Sequence, residues 1–496
     1  MRELNKTYKN IFPARKAARQ GLKKDSYDTI IIGAGIGGLA CGCYLAKAGM
    51  KVLIVEKNPY AGGYCASFSN RDFTFDTCVH TFSGCGSGEV MDKIRRDLKL
   101  DVTIVRADPS DVVVMPEGKI VIKNRLDETV GEFKKNFPRE TKIDAFFSLF
   151  DKDRRVRLYN SLRKNSFSDL LDEYFSDERI KAVLSVFLGN IGIPPSRASA
   201  FTAVLFLNAF ILNGGYYPLG GMGKLAEAFS SRFLELGGDL VLGSEVSAIK
   251  ISGRETKGVL IKNEYIPSRF VVSGADARHT FLNLIGRGNL SEKFVSGLES
   301  LLASNSAFVV YLGLKEIEDN EYSRCMGIWK MPADYNVEKS LSMPLEDKIS
   351  EDDFVFCSIP SSLDKTVARN NYQTMRLIVN APFKDVSYWR KNKAVYAESL
   401  ISRARQLFPR LESNILFKGA ATPQTFFHTT RNYRGSMCGW LNTNAQNESD
   451  LFDKHGIEKL YLAGHWLPVA YGQGGIAMVA YSGKKIARAI KSQFKR

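Results

Sequence analysis

The chain has 496 residues, of which 44% are hydrophobic, 25% charged and 11% aromatic. That profile excludes a disordered or fibrous chain and leaves room for two globular domains. The net charge of +16 suits an anionic partner, yet no zinc-ligand spacing, aromatic RNA-binding motif or helix-turn-helix accompanies it.

No nucleic-acid partner is therefore expected. A membrane surface fits the charge better, and a basic surface with no partner stays open. Eight cysteines without a CxxC pair point to a reduced compartment without a disulfide framework. Residues 1–26 form a basic N-terminal arm with no apolar core, unlike a secretory signal. A membrane-lying arm and a solvated tail both suit it.

Thr29–Gly33 is a β-branched run that predicts a strand. A glycine-rich turn follows, then a helix to Ala48 and a strand at Lys51–Glu56, which together make a βαβ unit. Gly33-x-Gly35-x-x-Gly38 sits between the first strand and the helix. There the first glycine makes the tight turn, the second lets backbone approach a diphosphate, and the third allows close packing of helix on strand. The helix N-terminus offers unpaired N–H groups to the phosphates. Glu56, at the end of the second strand, stands where ribose hydroxyls are bound.

Gly62-Gly63-x-x-x-Ser67 follows almost at once, so backbone comes near a nucleotide a second time. From 101 to 214 the text turns to helical patterns rich in aromatics. Its longest apolar run, Ala198–Leu212, has 15 residues. That is short of the roughly 20 a spanning helix needs and predicts a buried helix or one dipping into a membrane face. Strand-and-turn text returns at Tyr216-Tyr217-Pro218 and Gly220–Gly223, a step expected to pass close to the cofactor. A second mixed region covers 286–415. The last segment is a strand, Leu460–Gly464, a loop with Gly472-x-Gly474-Gly475, and a long helix. Three such pieces favour the long arm of FAD over NAD.

These segments resemble one family. Gly33–Gly38 with Glu56, "AGGYCASF" followed by "FTFDTCVH", "YYPLGGMGKLAEAF", "VVSGADARHTF" and "LAGHW…GQGGIAMVAYSGKKIA" are similar to the FAD-dependent phytoene desaturases, carotenoid isomerases and retinol saturases, from Tyr27 to Ile490. The resemblance implies an α/β fold. A discontinuous Rossmann-type FAD domain would comprise 27–100, 215–285 and 416–496, with a mixed α+β substrate domain inserted at 101–214 and 286–415. It also implies cofactor contacts at Gly33, Gly35, Gly38, Glu56, Gly62, Gly63, Ser67, Val246, Gly464, His465, Gly474 and Gly475. FAD would be non-covalent, since no His or Cys lies in a flavin-attachment motif. Three positions depart from the family: Tyr64 stands where many relatives carry Arg, His465 where many carry an acid, and Cys78 where Gly is common.

The implied function is redox chemistry on a carbon–carbon bond of an apolar polyene or isoprenoid lipid, by desaturation, saturation or isomerisation. The alternatives are an amine oxidase-like flavoenzyme and a non-catalytic membrane-associated flavoprotein. His80 and His465 are the candidate catalytic residues, as proton donors or substrate-orienting groups. Cys65, Cys78 and Cys85 match no redox spacing and read as small buried residues. The expected location is cytoplasmic, peripheral on the inner membrane face. The electron partner and oligomeric state stay open.

Overall fold

The computed structural model describes residues 25–348, 352–447, 449–467 and 475–494. The basic arm up to residue 24, and Gly474, lie outside them.

β1 (Tyr27–Ile32), α1 (Ile36–Lys47) and β2 (Val52–Val55) form the first unit. The β-branched run of β1 suits an extended chain and is buried from Thr29 to Ile32, as a central parallel strand must be. β1 pairs in parallel with β2 on one side and with Glu264–Ser273 on the other. Asp239–Val241 extends the sheet beyond β2, and Leu460–Leu462 pairs with Glu264–Ser273. Glu264–Ser273 also closes an antiparallel meander with Val246–Ser252 and Glu255–Ile261. The register brings the carboxyl ends Ile32, Val55, Ser273 and Leu462 to one edge. That edge, at a switch point beside β1, is where an open α/β sheet binds its ligand.

Three helices matter for the site: α2 (Ala200–Leu207), α3 (Gly223–Glu235) and α4 (Ile476–Phe494). Glycines let the distant pieces meet. A Cβ on Gly37 of α1 would fall 2.8 Å from the backbone N and Cα of Gly464. One on Gly483 of α4 would fall 2.3 Å from the Gly37 carbonyl oxygen. The C-terminal helix therefore packs backbone to backbone on the first one.

A second sheet of seven strands runs in the order Ile415–Ala421, Ser306–Leu314, Gln373–Ala381, Val355–Ser358, Gly327–Lys330, Asp111–Met115, Gly118–Ile122. Ser306–Leu314 is buried at every position, with strands on both sides. Ile415–Ala421 completes this sheet, so the expected return to the first domain at 416 comes one strand too early. The hairpin Ser67–Asp76 also packs here, through Phe68, Phe73 and Phe75 against Val309 and Tyr311. The aromatic-rich segment 126–212 is helical and buries Phe133, Phe146, Phe167 and Phe187 in a core shared with Val113, Ile120 and Trp329 of the second sheet. The apolar run 198–212 splits into α2 and a π-helical turn, Asn208–Leu212. Among the described residues no helix is long and apolar enough to cross a membrane.

Candidate active site

A cavity of about 960 Å³ extends from the carboxyl edge of the first sheet to the second sheet. This is the upper end of the roughly 300–1,000 Å³ of small-molecule sites. Gly33, Gly35 and Gly38 line one end of it. Gly33 has φ +95°, which favours glycine. Gly35 is extended, and no atom lies within 4 Å of the place a Cβ would take, so bare backbone faces the cavity. A Cβ on Gly38 would lie 2.3 Å from the Gly33 carbonyl oxygen, so this glycine closes the helix onto the turn. The first turn of α1 carries no acid of its own, and its positive dipole end faces the cavity.

Glu56 is buried at the same end. Its Oε2 accepts from the Ala34 N–H at 2.9 Å, and Oε1 from the N–H and side-chain amide of Asn58, both at 2.8 Å. Burial raises its pKa, against the opposing pull of those N–H groups. Three of about four lone-pair directions are used, and one on Oε2 is left for a ligand hydroxyl. Gly62 and Gly63 have positive φ, and the Gly62 N–H donates to Ala34, which lays this second turn beside Gly35. Val246, Gly464 and Gly475 complete this end.

His465 lines the cavity next to Gly464. Its Nε2 lies 3.2 Å from the Asn432 side-chain amide nitrogen. Burial pushes its pKa down to about 4, so the ring is neutral, and the Asn432 donor places the proton on Nδ1. Asn432 Oδ1 accepts from the Trp466 indole at 2.8 Å, and Trp466 packs on Trp440, away from the cavity. Tyr64, where relatives carry Arg, donates to the Ser436 carbonyl at 2.7 Å, and its ring lies 6.0 Å from His465.

His80 lies further in. Its ring centroid is 4.3 Å from that of Phe356 and 6.3 Å from that of Phe210, and its Nε2 has no protein partner. Burial first, then the charge of Arg376, pushes its pKa down to about 3. A neutral imidazole at this point offers a ligand one hydrogen bond. The segment before it is held by Arg376, which is fully buried and donates to the carbonyls of Asp76, Cys78 and Val79 and to Ser358 Oγ. Asp76 in turn accepts from Ser67 Oγ, Met222 N–H and Tyr217 OH at 2.7–2.8 Å.

That network corrects two expectations. Ser67 does not line the cavity: its hydroxyl bridges Asp76 and the Gly223 N–H at the start of α3. The Tyr216–Gly223 step likewise serves Asp76 and stays outside the cavity lining. The cysteines at the cavity are inert by burial, with Cys78 raised to about 11 and Cys438 to about 12.

The far end is aromatic. Phe206, Phe210, Trp329, Phe354 and Phe356 line it, and among the described residues the only acids on the lining are Glu56 and Glu245, both at the glycine end. Tyr159 and Leu205 on the lining are 43% and 37% exposed. Sequence reasoning missed Gly37, Gly483, Asn432 and Arg376. Gly37 and Gly483 lie inside segments already singled out, whereas Asn432 and Arg376 lie in none.

The family described as flavin containing amine oxidoreductase matches residues 36–491. The all-trans-retinol 13,14-reductase of Danio rerio is 23% identical and covers 89% of this chain and 82% of its own. The chloroplastic prolycopene isomerase of Daucus carota is 25% identical over 94% of this chain and 80% of its own. The lycopene-forming phytoene desaturase of Pantoea ananas is 24% identical over 88% and 94%. Among solved structures, an oxidoreductase from Methanosarcina mazei superposes with a TM-score of 0.64 at 18% identity, covering 93% of this chain and 99% of its own. Putrescine oxidase bound to putrescine gives 0.64 at 16% identity, with 94% and 99% covered. These two likenesses establish the fold.

Proposed function

Because the chain belongs to the flavin containing amine oxidoreductase family, we propose that it holds FAD non-covalently and acts on a carbon–carbon bond of a polyene or isoprenoid lipid. The bare backbone at Gly35, the helix end without an acid in its first turn and the spare lone pair of Glu56 fit a flavin dinucleotide. Bound there, the flavin supplies hydride exchange with a substrate carbon. The chain's own part is to bind, orient and keep water out. Asn432 fixes the His465 ring, the Asp76–Arg376 pair sets the backbone before His80, and neutral His80 gives one directional contact in an apolar wall.

The observation that carries the lipid reading is the aromatic far end without a carboxylate. A protonated amine would find no carboxylate there to balance its charge, which weighs against the amine-oxidase alternative. The retinol reductase, prolycopene isomerase and phytoene desaturase names point the same way.

Such a lipid must be collected from a bilayer. Val156, Tyr159 and Leu205 are exposed, the last two on the cavity lining, with Lys152, Arg157 and Lys164 exposed on the same stretch. We read this face, with the basic arm, as a reversible dock on the anionic inner leaflet. Lipid extracts of cells with and without the gene test the reading. A two-mass-unit shift or an isomer change in an isoprenoid is expected, and unchanged lipids beside a changed amine pool would refute it. Acid should release free yellow flavin, whereas flavin that stays with precipitated protein would contradict non-covalent binding.

A further inference from the structure

The apolar end of the cavity contains polar groups that a hydrocarbon would leave stranded. Asn380 is 7% exposed and Asn442 2% exposed, both line the cavity, and the Oδ1 of each has no protein partner. Asn190 lines it too, with its Nδ2 unpartnered. These amides come from three segments: the end of the strand Gln373–Ala381, the loop after Trp440, and the turn Phe187–Asn190. Strand alternation puts Asn380 on the face of Ile378, and its Nδ2 reaches the Gly189 carbonyl at 3.4 Å, beside Asn190. The Cys438 thiol holds the Asn190 carbonyl at 3.2 Å. The Ser199 N–H, at the start of α2, holds that of Asn442 at 3.0 Å. Backbones are thus pinned while the Asn380 and Asn442 amide oxygens and the Asn190 amide nitrogen stay free.

Resting on the lipid reading above, we propose that the substrate is not a pure hydrocarbon but carries a hydroxyl end group, bound by Asn190, Asn380 and Asn442. A hydroxyl donates one hydrogen bond and accepts others, which suits the free Asn190 N–H set and a wall of free amide oxygens, at Asn380 and Asn442 and also at Asn208, Asn444 and Asn447. A carboxylate would place its charge against two carbonyl oxygens. A hydrocarbon would leave these free amide atoms buried without a partner, and each such loss is costly.

The test compares all-trans-retinol with the same polyene in which hydrogen replaces the hydroxyl. Each is titrated anaerobically into oxidised holoprotein in detergent, and binding is read by quenching of tryptophan emission, since Trp329 lines the cavity. The alcohol should bind about tenfold more tightly or better. In Asn380→Leu and in Asn442→Leu, checked for full flavin content and native circular dichroism, the preference should shrink by severalfold while the hydrocarbon binds as well or better. Equal binding of the two compounds by the native protein overturns the proposal and leaves the lipid reading standing. So does a preference that survives both substitutions. If neither compound binds, the lipid reading fails and this inference fails with it. Should one variant not fold, the other and the native comparison still decide.

Discussion

Replacing Gly35 with valine separates cofactor binding from folding. The residue is extended, at φ −70° and ψ 168°, a conformation that valine adopts readily. No atom lies within 4 Å of its Cβ position, so the added Cβ meets no neighbouring group and stands on the cavity wall. The folding cost is that of a poorer residue ahead of α1, about 1 kcal/mol or less. The binding cost is larger, because the backbone can no longer approach a diphosphate. Losing one charge-assisted hydrogen bond costs about 1.5–3 kcal/mol, or roughly ten- to a hundredfold in Kd. Gly37→Ala is the control with the opposite signature: its Cβ would sit 2.8 Å from Gly464 backbone, and such overpacking costs about 1–3 kcal/mol of stability. Both variants would be purified, assayed for flavin-to-protein ratio by absorbance, and melted by circular dichroism. Gly35→Val should lose flavin yet melt, as apoprotein, close to native apoprotein. Gly37→Ala should lower the melting temperature of both forms. Full flavin stoichiometry in Gly35→Val would refute the assignment of this loop.

Arg376→Met should destabilise the fold by about 3–5 kcal/mol in urea unfolding, because Asp76 is left buried without its cation; a loss under 1 kcal/mol would deny the pair its role. His80 and His465 titrate far below an unfolded histidine, at about 3 and about 4 against roughly 6.5. The unfolded chain therefore binds more protons below about pH 6.5, so stability is full above that pH and falls as pH drops toward about 4. Replacing both with Gln should flatten the melting-temperature profile across that window, and an unchanged slope would contradict their buried neutral state. The protein should sediment with anionic vesicles at low salt and be released above about 0.5 M, where the Debye length is only a few ångströms. Tyr159→Ser with Leu205→Ser should weaken that binding without loss of flavin, and indifference to vesicles at low salt would remove the docking face.

What the sequence disclosed was local. Gly33, Gly35, Gly38 and Glu56 lie within one βαβ unit, where a tight turn and close backbone approach restrict residue choice, and the structure gathers them at one cavity end. Gly464 and Gly475 were readable for the same reason. Asp76 and Arg376 lie 300 positions apart and leave no local pattern, although together they set the backbone before His80. Ser67 and Tyr217 stand beside glycine motifs, which points them to a cofactor in sequence, whereas in the fold their hydroxyls are drawn to buried Asp76. The strand Ile415–Ala421 was assigned to the wrong domain because its pairing with Ser306–Leu314 is long-range and nothing in its own residues names a partner. The asparagines of the apolar end are drawn from three separated segments, so only folding brings them to one cavity.

The central claim is tested most directly by anaerobic mixing of holoprotein with substrate while the flavin absorption band is watched. Oxidised and chemically reduced protein would each be mixed with a series of conjugated and partly saturated isoprenoids, with putrescine as the amine control, and the organic phase analysed afterwards. The account predicts that an isoprenoid changes the flavin band, or leaves as a new isomer, in at least one redox state, and that putrescine does neither. Rapid bleaching by putrescine, with every isoprenoid recovered unchanged, would contradict it.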